Sequence, residues 1–147
     1  ALVANTLIWY SKYEKKEASY MFMQQDWLMR QIEMMIAAII QLLSEKAGKE
    51  YSLQDEIKQE RFTELKQKLT DLLNEGQLGE AENLLFFELE DGDESILAIA
   101  IDFYQKANTL SDKELDEQGF TRSELLEGLS DVAERYGLFI PGFWCKP

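Results

Sequence analysis

Asp26–Glu45 reads DWLMRQIEMMIAAIIQLLSE, twenty residues of helix-forming sequence. Leu28, Ile32, Met35, Ile36, Ile39, Ile40 and Leu43 recur at three- and four-residue steps, while Arg30, Glu33 and Gln41 fall on the opposite side. A helix apolar over so much of its circumference cannot face water alone. The segment is therefore expected to be the central rod of a bundle or half of an interface. Either way the fold class is all-α, and no particular chemistry is specified.

The punctuation around this rod extends the reading. Gly48, Gly76, Gly92, Gly119 and Gly137 each stand near the end of an apolar-periodic run, where a left-handed C-terminal residue is wanted. Ser111 with Glu114, and Thr121 with Glu124, have capping-box spacing, and Ser52 followed by Asp55 is a weaker version. These marks predict six helices near 24–46, 53–74, 79–90, 94–108, 112–118 and 122–136, with a seventh in 2–18 if that segment is native. In the second, the step from Ile57 to Phe62 is five residues, so the stripe slips phase and a kink or break is expected near Gln59–Arg61. No run alternates long enough to be a strand. Short connections make consecutive helices antiparallel, so the expected architecture is a bundle of antiparallel helical hairpins.

Length and composition set the outer bounds. At 147 residues, 46 % hydrophobic and 29 % charged, the chain has the balance of one folded domain. Its net charge of −13 is unevenly spread. Residues 1–50 carry six acids and six bases, whereas Asp71–Glu134 holds eighteen acids against three bases, Lys106, Lys113 and Arg122. Nucleic acids and anionic membrane surfaces bind through Lys and Arg, so neither is an expected partner. The longest purely apolar run, Met34–Ile40, is seven residues, and no stretch is expected to span a membrane. With Cys145 alone there is no internal disulfide, which points to a reducing cytoplasm. The first residue is not methionine, and Lys16-Glu17 can be encoded as a purine tract of ribosome-binding type upstream of Met21. Translation is accordingly expected to start at Met21 or Met23, making residues 1–20 an extension and residues 21–147 a single helical domain.

Catalytic constellations are scarce. The chain has no histidine, which removes the commonest general base and transition-metal ligand, and with it any Ser–His or Cys–His nucleophile pair. Gly48-Lys49 is a lone dipeptide, not a phosphate loop. In the acidic stretch Glu88–Glu94, placing Gly92 at the sixth position of a calcium loop puts Phe87 first and Ala98 twelfth, so the pattern fails. Acids before the next helix N-terminus are the better account of that loop. No catalytic residue, cofactor or metal is expected, and the chain reads as non-enzymatic.

Two resemblances add to this. Gly76-Gln77-Leu78-Gly79-Glu80-Ala81, with Leu65, Leu72 and Leu85 at large packing positions, resembles one tetratricopeptide hairpin over residues 63–90. One repeat period later Leu115 stands where a second alanine belongs, so the likeness implies helical hairpins rather than a repeat array. Gln25-Asp26-Trp27-Leu28-Met29-Arg30-Gln31-Ile32 resembles the start of a bacterial family of small acidic all-helical proteins known only as a domain of unknown function. That resemblance implies a fold and no activity. Within it, Asp26 and Arg30 have the spacing of an i,i+4 ion pair.

The tail 137–147 is aromatic and, with Pro141-Gly142, non-helical; it is expected to fold back over the bundle near Trp27 or to insert into a partner through Phe139, Phe143 and Trp144. On the rod, Met29, Met34, Ala37 and Ala38 widen the apolar flank beyond what one neighbour covers. Met29, Met34, Ala38, Phe139, Phe143 and Trp144 are thus the candidate interaction surface. The expected function is a cytoplasmic protein–protein interaction or assembly module, self-association included; the alternative is a small-molecule or peptide binder in a helical-hairpin groove.

Overall fold

The computed structural model describes the backbone of residues 2–138 and the side chains of residues 25–138. Among them lie seven helices and no strand: α1 (Leu2–Ala47), α2 (Leu53–Glu56), α3 (Glu60–Asn74), α4 (Leu78–Leu89), α5 (Glu94–Asn108), α6 (Asp112–Glu117) and α7 (Arg122–Arg135). The bundle of helical hairpins is as expected, with three corrections.

The first concerns the N-terminus, where 2–18 is not a separate helix: α1 runs unbroken from Leu2 through the rod. The second is the anticipated break in 53–74. It falls at Ile57, whose backbone leaves the helical region (φ −103°, ψ 59°). The break has a simple cause. Ile57 and Phe62 are both buried, and a continuous helix could not turn two residues five apart toward the same core.

The third correction is the largest, because the central rod is α5 and not Asp26–Glu45. Eleven of the fifteen residues of α5 are buried, from Ile96 to Asn108, and α1, α2, α3, α4 and α7 all pack on it. The uninterrupted run Ile96–Ile101 leaves that part of α5 no polar side on which to meet water. The α1 segment instead seals a single stripe, Ile32, Met35, Ile36, Ile39 and Leu43, against α5 and α7, with Arg30, Glu33 and Gln41 exposed. By length and composition Gln25–Ala47 does meet the requirement for a membrane-crossing helix, at a mean hydropathy of 1.2. Counting uninterrupted apolar runs missed this, because a windowed average tolerates scattered charges.

Residue pairs between helices give their directions. Asn108 reaches Met29 and Lys46 reaches Glu94, so α1 is antiparallel to α5. Arg122 clasps Asn108 and Tyr136 reaches Asp93, so α7 is antiparallel to α5 and parallel to α1. α3 and α4 form a hairpin, with Arg61 at one end pairing Glu88 and Asp91 beyond. Its turn is closed at Gly76 (φ 76°), where Gln77 N–H donates to the Leu72 carbonyl at 2.8 Å and Gly76 N–H to that of Leu73 at 3.1 Å. Only glycine enters that left-handed conformation without a steric penalty. All five glycines named as helix stops have positive φ. Ser111–Glu114 forms the full capping box, Thr121 caps α7 through Glu124 N–H, and Asp93 caps α5 through Ser95 N–H; Ser52 makes no side-chain cap.

Candidate functional site

Three places hold the groups from which a function could be built: the outer face of α1, a groove between α1 and α5, and a buried carboxylate–phenol pair between α4, α5 and α7.

On α1, one face is committed to the core and the other is open. Trp27 is 55 % exposed and Met34 57 % exposed. With Arg30, Ala37 and Gln41, also exposed, they follow the three- and four-residue steps of a helix–helix seam. Of the residues expected to form an interaction surface, Met34 lies in this seam. Ala38 is half-buried at its edge, packed on the core. Met29 is half-buried on the other flank, where its carbonyl accepts a hydrogen bond from Asn108 Nδ2 at 3.1 Å. Phe139, Phe143 and Trp144 lie outside the described residues, as does the expected path of the tail. The chain does leave the described structure at the Lys46 end of α1, since Leu138 follows Tyr136, whose hydroxyl donates to the Asp93 carbonyl at 2.6 Å. Trp27 is at the opposite end. Asp26 and Arg30 are both exposed and do not pair.

The groove is lined by Met29, Glu33, Ile36, Gln105, Asn108 and Thr109 and encloses about 150 Å³. Its floor is structural rather than chemical. Asn108 is buried there between the Met29 carbonyl and the Arg122 guanidinium. Arg122, 2 % exposed, donates to the Asn108 carbonyl (2.8 Å) and Oδ1 (2.9 Å), to the Leu110 carbonyl (2.7 Å) and to Asp112 Oδ1 (2.8 Å). A planar fork suits this better than any other side chain, because its donors spread in one plane toward several acceptors. The other buried charge, Asp102, pairs with Lys106 at 2.9 Å, and Lys106 donates on to Thr70 on α3. Among the described residues one buried polar atom, Tyr51 Oη, has no hydrogen-bond partner.

The buried pair is Tyr104, fully enclosed on α5, donating its hydroxyl proton to Glu82 Oε2 on α4 at 2.9 Å. Gly128 of α7 faces both, and a Cβ there would overlap Tyr104 Oη and come within 2.9 Å of Glu82 Oε2. Burial lifts the Glu82 carboxyl above its ordinary value of 4.5; the Tyr104 hydrogen bond opposes the rise, and the charges of Glu124 and Asp131 add to it. Burial and the adjacent Glu82 push the Tyr104 hydroxyl far up, so it stays a donor. The folded protein therefore holds the Glu82 proton more tightly than the unfolded chain does. Its stabilising contribution is complete below about pH 4.5 and is lost as pH rises through the folded-state value. Melting temperature followed from pH 7 down to pH 5 should rise, and Glu82→Gln, neutral at every pH, should rise less. Parallel curves for the two proteins would remove Glu82 as a source of the pH dependence.

The acidic stretch Glu88–Glu94 has local work: Asp91 pairs with Arg61 at 3.0 Å and Asp93 accepts from Ser95 N–H at 2.8 Å. Neither the Arg122 clasp nor the Glu82–Tyr104–Gly128 contact was among the expected sites. For the latter a signal existed, because a glycine inside a helical pattern marks a close approach. For Arg122 there was none, since its acceptors are ten to fourteen residues away.

No curated protein and no solved structure matches the chain. One family model does, across residues 22–137, and its description is a family of unknown function. It contains the Gln25–Ile32 opening, all of α2 to α7 and every buried contact just described. By that match the chain is a member of the family of unknown function DUF6483.

Proposed function

We propose that the protein is a non-enzymatic interaction or assembly module that binds protein through the outer face of α1. The observation that carries this reading is the exposure of Trp27 and Met34 on a helix whose opposite side is already sealed in the core. Large apolar groups held open on a rigid element mark interaction sites, because their burial returns about 25 cal/mol per Å² without further ordering of the backbone. The competing reading, a small-molecule binder, has less support. The α1–α5 groove of about 150 Å³ is well under the roughly 300 Å³ of an ordinary ligand pocket, and its buried polar residue, Asn108, is already bonded to the Met29 carbonyl and Arg122.

The same logic supports a non-enzymatic role. Asp102, Asn108 and Arg122 are spent on packing contacts, and the sequence has no histidine to act as a base near neutral pH. The excess of acids in residues 71–134 argues against nucleic acid and anionic membranes as partners. A single thiol, Cys145, suits a reducing cytoplasm.

A photo-crosslinking residue at Met34, compared with one at the exposed Lys68 of α3, tests the assignment. The expected result is a discrete protein adduct from position 34 in the host cell and none from position 68. No adduct at 34, together with a metabolite that raises the melting temperature of the purified chain, would transfer the assignment to the groove.

A further inference from the structure

We infer that the partner of the α1 face is a second copy of this chain, docked antiparallel with the two α1 helices crossing at Ala37–Ala38. This rests on the interaction reading above and adds the identity and geometry of the occupant.

Charge excludes the acidic half of the chain. Each copy carries −13, and any contact through residues 71–134 would set a local charge of −15 against the same charge. Segment 26–47 holds Asp26, Glu33 and Glu45 against Arg30 and Lys46. Two like-charged copies meet there with far less repulsion than through residues 71–134.

Spacing selects the direction. Arg30 and Glu45 are exposed, neither has an ion-pair partner among the described residues, and each lies seven to eight residues from the Ala37–Ala38 midpoint. In an antiparallel pair centred there, Arg30 of each copy stands opposite Glu45 of the other. The two-fold axis makes this contact twice. Met34 then lies against Gln41, and the alanines at the crossing let the helix axes approach to about 8 Å. A parallel pair would instead oppose Arg30 to Arg30 and Glu45 to Glu45.

The chain's own tail is a poor occupant of the Trp27 end. It starts at the Lys46 end, where Tyr136 and Glu94 lie.

Sedimentation of the full chain at about 100 µM tests the proposal, with circular dichroism to verify folding. A dimer is expected. Arg30→Glu alone, or Glu45→Arg alone, should weaken it about tenfold or more while leaving the circular dichroism spectrum of the folded chain unchanged, and the double exchange should restore it. In a Cys145→Ser background, Ala37→Cys should oxidise to a disulfide-linked dimer, whereas Trp27→Cys should not. A monomer at this concentration, a dimer indifferent to both charge changes, or a dimer lost only when residues 139–147 are deleted would overturn the proposal. So would a monomer that sediments with vesicles of neutral phosphatidylcholine. If the chain is monomeric while position 34 crosslinks to a different protein, self-docking fails and the interaction reading stands.

Discussion

Arg122→Ala should destabilise the bundle by about 3–4 kcal/mol, read as a drop of about 10 °C in melting temperature. The guanidinium is 2 % exposed and joins the end of α5, the start of α6 and the start of α7 through the Asn108 and Leu110 carbonyls, Asn108 Oδ1 and Asp112. Truncation strands the buried Asn108 carbonyl and Oδ1 without their donor, and an unsatisfied buried polar group costs about 1–3 kcal/mol. It also frees Asn108, the residue that holds α1 by donating to the Met29 carbonyl. Arg122→Lys keeps the charge but cannot reach several acceptors in one plane, so it should lose about half as much. Equal stability of Arg122→Ala and the parent in urea titration would show that water replaces the clasp at no cost.

Gly128→Ala should cost about 2 kcal/mol, although alanine is the better helix former by about 1 kcal/mol. The new methyl group would occupy the space of Tyr104 Oη and lie 3.0 Å from Tyr104 Cζ. Tyr104 cannot yield, being fully buried and packed edge-on against Phe103 at 5.1 Å between ring centres. Tyr104→Phe, which deletes the overlapping oxygen, should recover part of the loss in the double variant. A double-mutant cycle on residues 104 and 128 should therefore give a coupling of about 1 kcal/mol or more. Additive effects would mean that α7 shifts outward to accommodate the methyl group. Tyr104→Phe by itself leaves Glu82 half-buried without its donor, which should raise the Glu82 carboxyl further and steepen the pH dependence described above.

These two contacts mark what a linear reading can and cannot reach. Gly76, Gly119 and Gly137 were legible as helix stops because the left-handed turn involves only neighbours in the chain. The Ser111–Glu114 capping box was legible for the same reason, its partners being three residues apart. Periodicity also placed Ile32, Met35, Ile36, Ile39 and Leu43 on one buried face, and the five-residue step from Ile57 to Phe62 signalled a break, which falls a few residues before the expected Gln59–Arg61. Ser52 had the spacing of a cap without becoming one. Of the candidate surface, Met34 was recognisable from its place beside the apolar stripe, while Trp27 entered only as a target for the tail.

Local pattern determined by itself that this chain is all-α, where most of its helices stop, and which face of each turns inward, because those properties depend on interactions within about one helical turn. Tertiary structure alone decided that α5 rather than the Asp26–Glu45 rod is the most enclosed helix, that Arg122 is buried, and that Trp27 and Met34 are left open. Hydrophobicity along the chain measures how much a helix gains by being covered. Which helix is covered depends on how many neighbours reach it, and that is a property of the packed bundle.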